Sequence, residues 1–355
     1  MPTSPAAERL AAAREEFAAD VTYLDTATMG LPPGRTVAAV EEAIDRWRRG
    51  VDDAVAYDEA VEASRRAYAA LVGVDPSWVA TGAQVSVFVG LIAASLPPGA
   101  EVLTAEGDFT SVLFPFLALQ PRGLTVRQAP LEGLADAVRP STSLVAVSAV
   151  QSADGRVADL DALVEACAAV GARTLVDTTQ AVGWLPVDAR RFSYTTGGGY
   201  KWLLAPRGTA FLTVQPELRD SVLPVAAGWY AGDDRWASIY GTPLRLATTA
   251  RRFDLSPAWH AWEGQRASLE LLLAVGVDAL HEHAVGLADR FRAGMGLPPG
   301  RSAIVSLGTS ADVLPALAEA GVKAAGRAGR VRLSFHVCND EADVDRAVEV
   351  LRRWR

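Results

Sequence analysis

Lys201 is the residue whose type and surroundings most suggest covalent chemistry. Only two lysines, Lys201 and Lys323, stand among the 34 basic residues, and arginine serves everywhere else. An arginine guanidinium stays protonated and forms no stable imine with an aldehyde, whereas a lysine amine does. Because Lys201 comes just after three glycines in Gly197-Gly-Gly-Tyr-Lys201, it is a candidate for imine formation. The plainer interpretation is a surface lysine in a flexible Gly-rich loop.

Asp177 is a second candidate, since it ends the apolar run Leu175-Val-Asp177 and is followed by Gln180. Ligands of open α/β sheets bind beyond the carboxyl ends of the strands. A carboxylate buried there needs a cationic partner. One hypothesis is that Asp177 keeps a pyridine nitrogen protonated, so that the ring can withdraw electrons from a substrate. The alternative is a helix N-cap or turn residue.

Short aliphatic runs alternate with helical patterns through the first two thirds of the chain. The predicted strands are 78–81, 101–104, 124–127, 144–147 and 174–177, and the predicted helices between them include 84–95 and 159–170. Strands that alternate with helices favour a mainly parallel sheet covered by helices on both faces. The sequence therefore predicts an α/β fold.

The pattern changes after about Pro243. Two helices are predicted over 258–274 and 277–293, short strands near Ile304 and Val331, and a closing amphipathic helix over 340–353. We therefore divide the chain into an N-terminal helical segment (1–20), a large domain (21–245) and a smaller C-terminal α+β domain (246–355).

Composition narrows the class of protein. The net charge is −8 and the pI is about 5.2, which argues against nucleic acid as a partner, because phosphate backbones require a basic face. No apolar run approaches the length of a membrane span, and no signal peptide is recognisable. With only two cysteines, Cys167 and Cys338, a disulfide framework is not expected. We predict a cytoplasmic protein without a metal site.

Other cofactor motifs are missing. There is no Gly-x-x-x-x-Gly-Lys-Ser/Thr phosphate loop, and no Gly-x-Gly-x-x-Gly fingerprint follows the first predicted strand. Tyr200 is adjacent to Lys201, whereas a short-chain dehydrogenase pair is four residues apart. A nicotinamide-dependent dehydrogenase is therefore disfavoured.

The segments around the two candidates resemble class V aminotransferases, which are fold-type-I enzymes of pyridoxal 5′-phosphate (PLP). The similar motifs are Asp177-Thr-Thr-Gln180-Ala-Val-Gly183 and Gly199-Tyr-Lys201-Trp-Leu-Leu-Ala-Pro206-Arg-Gly208. The likeness runs from Tyr23-Leu-Asp-Thr26 to Arg332-Leu-Ser334. The group includes cysteine desulfurases, kynureninases and isopenicillin N epimerase-like proteins. The resemblance implies a large PLP-binding domain, a smaller C-terminal domain and an amino-acid-like substrate.

The resemblance also implies roles for residues around the cofactor ring. Lys201 would form the imine (Schiff base) and Asp177 would bind the pyridine nitrogen. Gln180 would hydrogen-bond the phenolic oxygen of the ring. Phe109 would stack on the ring, and Gln151 would lie near the ring oxygen or the substrate.

The remaining implied roles concern anionic groups and a second subunit. The backbone of Gly82, Ala83 and Gln84, at the start of a helix, would cradle the phosphate. Arg332 would grip the substrate carboxylate with its bidentate fork. The segment from Arg252 to Ser256 resembles one that reaches the phosphate of a partner subunit, which implies a homodimer with shared active sites.

The chain departs from the family pattern at three places. Gly198 and Tyr200 stand where many members have Ser and His. Tyrosine at this position is similar to kynureninases, where its hydroxyl can bind the phosphate. Neither Cys167 nor Cys338 falls where desulfurases carry their nucleophilic cysteine, so a desulfurase that works through a cysteine persulfide is not expected.

Several reactions share this catalytic core. Lys201, once displaced by the substrate amine, would be the base for the α-proton. We place transamination first, a PLP-dependent lyase (β-elimination or C–S cleavage) second, and epimerisation beside it. A catalytically silent PLP-fold binding module is the hypothesis of a different class, and the combination of Asp177, Gln180 and Lys201 argues against it.

Overall fold

The computed structural model describes residues 4–308 and 313–354. The helices are α1 Pro5–Arg14, α2 Gly34–Arg48, α3 Tyr57–Leu71, α4 Val85–Ala94, α5 Thr110–Leu117, α6 Leu160–Val170, α7 Trp259–Val275, α8 Val277–Gly294, α9 Val313–Glu319 and α10 Glu341–Arg352. The strands are β1 Thr22–Tyr23, β2 Val79–Gly82, β3 Glu101–Ala105, β4 Thr125–Ala129, β5 Thr142–Ser148, β6 Arg173–Asp177, β7 Tyr194–Gly198, β8 Ala210–Val214, β9 Ile304–Leu307, β10 Val322–Lys323, β11 Ala325–Arg327 and β12 Arg330–Ser334.

Strands β2 to β8 form one central sheet in the order β2-β8-β7-β6-β5-β3-β4. The pairs from β4 through β3, β5 and β6 to β7 are parallel, whereas β8 is antiparallel to both β7 and β2. Helices cover the sheet, and the aliphatic runs of β5, β6 and β8 are almost entirely buried. The predicted α/β fold with a mainly parallel sheet is confirmed.

The topology brings six strand ends to one edge, that of β4 and those of the five strands with predicted cofactor contacts. Strand β2 runs parallel to β7, because each of them pairs antiparallel with β8. The carboxyl ends of β2, β3, β5, β6 and β7 therefore lie along the same edge of the sheet. The segments that follow these ends are the ones to which the sequence assigned cofactor contacts, and ligands of such sheets bind at this edge.

The glycine run before Lys201 is not a flexible loop. Residues Tyr194–Gly198 form β7, a fully buried strand, and Ala210–Val214 form its neighbour β8. A Cβ on Gly197 would lie 2.7 Å from the Thr178 hydroxyl oxygen. The glycine therefore serves close backbone packing inside the sheet, which is a known role of glycine in strands. Composition alone had suggested a loop.

The C-terminal part forms a separate small sheet in the order β11-β12-β9, against which α8 and α10 pack. Strand β1 pairs with β10, and helix α7 packs on α2 and α3. Contacts thus cross the domain boundary predicted between residues 245 and 246. The division of the chain into domains stays a prediction. Within the described ranges no single helix is long and apolar enough to cross a membrane, although α7 and α8 reach that composition together across an 84° bend.

A buried ion pair fixes the backbone that leads into α4. The Arg65 guanidinium on α3 donates to both carboxylate oxygens of Asp254, at 3.1 and 2.6 Å. Asp254 also accepts from the backbone N–H of Thr81 at 2.8 Å, and Arg65 bonds the carbonyl of Val79. Both side chains are buried, at 2% and 0% exposure. The pair therefore joins α3, β2 and the segment before α7.

Substitution of Asp254 by alanine tests this junction. Arg65 has two acidic partners, Glu62 and Asp254, and the substitution leaves its buried charge with Glu62 only. Breaking a buried ion pair costs about 3–5 kcal/mol. We expect a fall of this size in the free energy of unfolding of the apo protein, measured by urea denaturation. The control is Asp220→Ala, which removes a 94% exposed partner of Arg252 and should cost less than about 1 kcal/mol. Equal effects of the two substitutions would contradict the assignment.

Candidate active site

One cavity lies along the edge where the five strands end, with an empty volume of about 610 Å³. Some lining residues are the last residues of strands: Ser148 of β5, Asp177 of β6 and Gly198 of β7. Others follow a strand: Ala83 and Gln84 come after β2, and Phe109 comes after β3. Lys201, Tyr200 and Gln180 line the same cavity. The structure therefore brings together residues that are more than 100 positions apart in the sequence.

Asp177 is buried at the end of β6, with 5% exposure. Its Oδ1 accepts a hydrogen bond from the Thr179 N–H at 2.8 Å, and Oδ2 has no hydrogen-bond partner among the described residues. Burial is the main cause that raises the pKa of Asp177 to about 6, and the nearby Asp108 carboxylate raises it further. A cation placed in the cavity would lower this pKa and stabilise the ionised form.

Lys201 is the second buried ionisable group, also with 5% exposure. Burial lowers the pKa of its amine to about 8, Asp177 opposes this shift, and Arg332, Arg327 and Arg207 add to it. No oxygen of Asp177 lies within the 4.0 Å of an ion pair with Lys201, although both residues are described. The Lys201 amine is therefore partly neutral at pH 7 to 8, as a nucleophile or base needs to be.

The turn that carries Lys201 is held by its backbone. The Gly30 N–H donates to the Tyr200 carbonyl at 2.9 Å, and a Cβ on Gly30 would collide with the Lys201 carbonyl. His336 makes a 2.9 Å hydrogen bond with the Trp202 carbonyl. Leu204 has a φ of +59°, a left-handed conformation that costs about 1–2 kcal/mol for a residue with a side chain. Such strain is held in place by surrounding structure and clusters at active sites.

Gln180 lies at the cavity, but its amide is engaged within the protein. Its Oε1 accepts from the Trp202 indole N–H at 2.7 Å, and its Nε2 donates to the Ala27 carbonyl at 2.9 Å and to the Ser152 hydroxyl at 3.0 Å. Ser152 also accepts from Arg332. The Ser152 hydroxyl hydrogen is therefore free to donate into the cavity that the residue lines. The sequence analysis missed Ser152, whose position after β5 was the only signal.

An anion-binding end of the cavity is formed where β2 passes into α4. Helix α4 begins at Val85, and its N-cap residue Gln84 makes no side-chain capping bond. The first-turn N–H groups are thus available to a phosphate, which the helix dipole also favours. A Cβ on Gly82 would lie 2.7 Å from the Phe88 ring, so only glycine fits at this turn.

The departures from the family pattern at positions 198 and 200 are sterically linked. A Cβ on Gly198 would lie 3.2 Å from Cε1 and 3.5 Å from Cδ1 of Tyr200, so the glycine leaves room for the larger ring. The Arg207 guanidinium lies 4.9 Å from the centre of the Tyr200 ring on which it packs. The Tyr200 hydroxyl has no hydrogen-bond partner among residues 4–308 and 313–354, and burial raises its pKa.

Phe109 and Arg332 approach the Lys201 amine from different elements. The Phe109 ring centre is 5.2 Å from Nζ of Lys201, and the ring is 43% exposed, so one face is available for stacking. Arg332, in β12, is 1% exposed and donates to Ser152 and to the Thr28 hydroxyl. Its nearest carboxylate, Asp25, is 3.9 Å away. Burial lowers the pKa of Arg332 to about 10, and the charge lacks a close anionic partner.

Five predicted contact residues do not line this cavity: Gly82 and Arg332, which adjoin lining residues, and Gln151, Arg252 and Ser256. Gln151 is buried beside it, with its amide 3.5 Å from the Ser148 carbonyl, and the next residue, Ser152, takes the place in the lining. The reason is that residue 151 turns inward, where its backbone N–H bonds the Arg156 carbonyl. Arg252 forms an ion pair with Asp220, and Ser256 is exposed. Their predicted contact with a partner subunit stays a prediction.

The donor set fits PLP. The cavity offers an amine for an aldehyde, a carboxyl of raised pKa for a cationic ring nitrogen, an aromatic face for the ring, and a helix N-terminus for a phosphate. These groups are Lys201, Asp177, Phe109 and the first turn of α4. Among the described residues no cluster of three or more His, Cys, Asp or Glu side chains is arranged to hold a metal ion.

Comparison with known proteins agrees with this chemistry. The sequence model of the class V aminotransferases matches residues 22–307. The chain belongs to the class V aminotransferase family. The cofactor of this family of enzymes is PLP, and its members act on amino-acid substrates.

The sequence relatives have different names. The uncharacterized aminotransferase YcbU of Bacillus subtilis is 29% identical over 62% of this chain and 62% of its own. Isopenicillin N epimerase of Streptomyces clavuligerus is 30% identical over 47% and 43%, and a probable cysteine desulfurase of Methanothermobacter thermautotrophicus is 29% identical over 52% and 48%. The matched region thus spans less than two thirds of these relatives.

Solved structures share the fold over nearly the whole chain. A lysine-to-alanine mutant of C-DES, with glycine linked to the PLP cofactor, superposes with a TM-score of 0.87 at 20% identity over 96% of this chain and 99% of its own. The apo cysteine desulfurase of Thermococcus onnurineus superposes with a TM-score of 0.85 at 21% identity over 99% of both. At these identities the likeness establishes the fold.

The low pKa of Lys201 predicts how the apo protein takes up its cofactor. Only the neutral amine attacks the aldehyde, so the rate of imine formation should rise with pH and level off above about 8, whereas an ordinary lysine would level off near about 10.4. Stopped-flow absorbance after mixing apo protein with PLP measures this. Arg332→Gln removes a charge that lowers the pKa of Lys201, so the plateau should move to higher pH. An unchanged profile in that variant would contradict the assignment.

The steric link between positions 198 and 200 predicts non-additive effects. Gly198→Ser places new atoms against the Tyr200 ring, and overpacking of this kind costs about 1–3 kcal/mol. We expect the PLP dissociation constant, measured by fluorescence quenching of the apo protein, to rise about tenfold or more. In a Tyr200→His background the smaller ring leaves space, and the same substitution should have a much smaller effect. Equal losses in both backgrounds would show that the two positions are independent.

Proposed function

We propose that this protein is a PLP-dependent aminotransferase of an amino-acid-like substrate, with Lys201 as its Schiff-base residue and proton-transfer group. The observation that supports this most is the buried Lys201 amine, whose pKa is lowered to about 8 while it faces the cavity that Asp177 also lines. When bound, PLP supplies an electron sink and an aldehyde that can carry an amino group.

The residues of the chain divide the work. Asp177 would hold the ring nitrogen in its cationic form, since it lines the cavity and one of its oxygens is unpaired among the described residues. Arg332 would bind the substrate carboxylate, because its charge is buried and its ion pair with Asp25, at 3.9 Å, includes no hydrogen bond. Lys201 would take the proton from the substrate Cα and return it. Gln180 orients Ser152 and Trp202 around these groups.

A lyase is the second candidate, and Tyr200 favours it. Tyr200 lines the cavity, and its hydroxyl has a raised pKa and no hydrogen-bond partner in the part of the chain that the structure describes. It is therefore protonated at neutral pH and could protonate a β-leaving group, as elimination or C–S cleavage requires. Epimerisation would need a proton donor on the opposite face of the substrate.

Desulfuration through a protein persulfide is not proposed, although relatives and structural neighbours named above are called cysteine desulfurases. That chemistry needs a reactive thiolate near the substrate. Neither Cys167 nor Cys338 lines the cavity. Burial raises the pKa of Cys167 to about 11 and that of Cys338 to about 12.

We also propose a cytoplasmic homodimer. Helix α2 presents the apolar side chains Val37, Ile44 and Trp47 to solvent, at 40%, 45% and 66% exposure, and exposed apolar patches of this kind mark subunit interfaces. Within the Arg252–Ser256 segment, Ser256 is exposed and Arg252 is partly exposed, so these two side chains are accessible to a second copy. Light scattering of the purified protein measures the subunit number.

The spectrum of the purified protein tests the function. An imine on Lys201 should absorb at about 410–430 nm, disappear with borohydride and be absent in Lys201→Ala. Amino donors should convert the cofactor to a form that absorbs near about 330 nm if the enzyme is a transaminase. Release of pyruvate, ammonia or sulfide without this conversion would establish a lyase. A protein that stays colourless with added PLP would be a silent binding module.

A further inference from the structure

Two guanidinium groups converge on the Thr28 hydroxyl, and one of them, Arg332, also donates to Ser152, which lines the cavity. Arg332 donates to the Thr28 Oγ1 at 2.6 Å, and Arg327 donates to the same oxygen at 3.0 Å. Because this oxygen accepts two hydrogen bonds, its own hydrogen is left to donate to a third group. Thr28 lines an apolar groove that shares Tyr200 and Arg207 with the cavity, so the hydroxyl lies in a space adjacent to it.

The second arginine has no carboxylate of its own. The other hydrogen bond of Arg327 goes to the Gly326 carbonyl at 2.7 Å, and among the described residues no carboxylate oxygen lies within 4.0 Å of it. Arg332 has only Asp25, at 3.9 Å without a hydrogen bond. Like charges this close repel each other, and Arg327 contributes, after burial, to the lowered pKa of Arg332. An anion between them would relieve the repulsion.

The backbone holds Arg327 in this place. Strands β11 and β12 form a hairpin in which Arg327 pairs with Arg330. The turn residues Ala328 and Gly329 both have positive φ, at +49° and +71°. Two such residues make the type I′ turn that matches the twist of a two-residue hairpin. This conformation is sterically unfavourable for the alanine, because its Cβ comes close to the backbone. Arg327 is thus carried on a short, defined turn next to Thr28.

The neighbouring arginine of the hairpin gives an internal comparison. Arg330 donates to the hydroxyl and the carbonyl of Ser306, at 3.0 and 2.9 Å, on the adjacent strand β9. Its hydrogen bonds are made within the small sheet. Arg327, in contrast, donates to the Thr28 hydroxyl, which also accepts a hydrogen bond from Arg332.

We propose that Arg327 and Thr28 form a second anion subsite beside Arg332, so that the preferred substrate is a dicarboxylic α-amino acid. This rests on the proposed function, in which Arg332 binds the α-carboxylate. The side-chain carboxylate then lies against the Arg327 guanidinium and the Thr28 hydroxyl. Two arginines linked through one oxygen are spaced for acid groups a few carbon atoms apart. Arginine is well suited to both contacts, because its planar fork matches a carboxylate.

The test is a binding comparison on the holoenzyme. The change in the cofactor spectrum is titrated with L-glutamate and L-aspartate and with their neutral isosteres L-glutamine and L-asparagine. We expect the acids to bind at least tenfold more tightly than the amides, which corresponds to about 1.4 kcal/mol. In Arg327→Gln this preference should disappear while the amides bind as before. Arg330→Gln, the matched control, should keep the preference.

The outcomes separate this inference from the proposed function. Amides that bind as well as the acids in the native enzyme would overturn the second subsite and leave the enzyme assignment intact. An equal loss for acids and amides in Arg327→Gln would also overturn it, since it would show a structural role for the hairpin. A cofactor spectrum that responds to none of the four amino acids, whether acid or amide, would instead contradict the proposed function.

Discussion

Asp177 and Lys201 are two ionisable groups that the fold buries at one cavity without letting them form an ion pair. Burial raises the pKa of the carboxyl to about 6 and lowers that of the amine to about 8, so the charged form of each group is destabilised relative to water. A direct pair would have satisfied both. The separated carboxylate lacks a cationic partner among the described residues, and the amine is partly neutral. A cofactor with a cationic nitrogen and an aldehyde would bind to both groups. The surrounding structure keeps this separation fixed.

The central sheet provides most of that rigidity. Asp177 ends an almost entirely buried strand, and its register opposite Ser148 of β5 is set by the parallel ladder. Lys201 follows the neighbouring strand β7 in a turn whose Tyr200 and Trp202 carbonyls are bonded by Gly30 and His336. The Arg65–Asp254 pair fixes the turn before α4 in the same way. Groups on separate strands are therefore positioned by main-chain pairing, which is more rigid than side-chain contact alone.

Electrostatic differences within the site bear on the reaction and its substrate. The phosphate end depends on backbone N–H groups and on the linked residues Gly198 and Tyr200. Three guanidinium groups, those of Arg332, Arg327 and Arg207, all lower the pKa of Lys201. Their positive charge favours a neutral lysine, and it would also favour the anionic substrate that we propose.

The sequence by itself determined the class of fold, the lysine and the carboxylate. Aliphatic runs that alternate with helical periodicity predict parallel strands, and the scarcity of lysine marked Lys201, because both signals are local in the chain. The tertiary structure decided that the glycine run is a buried strand, that Ser152 lines the cavity where Gln151 was expected, and that Arg327 lies beside Arg332. Hydrogen bonds between residues such as Thr28 and Arg327, almost 300 positions apart, leave no pattern in a single sequence. These hydrogen bonds form only when the pairing of strands brings the residues together.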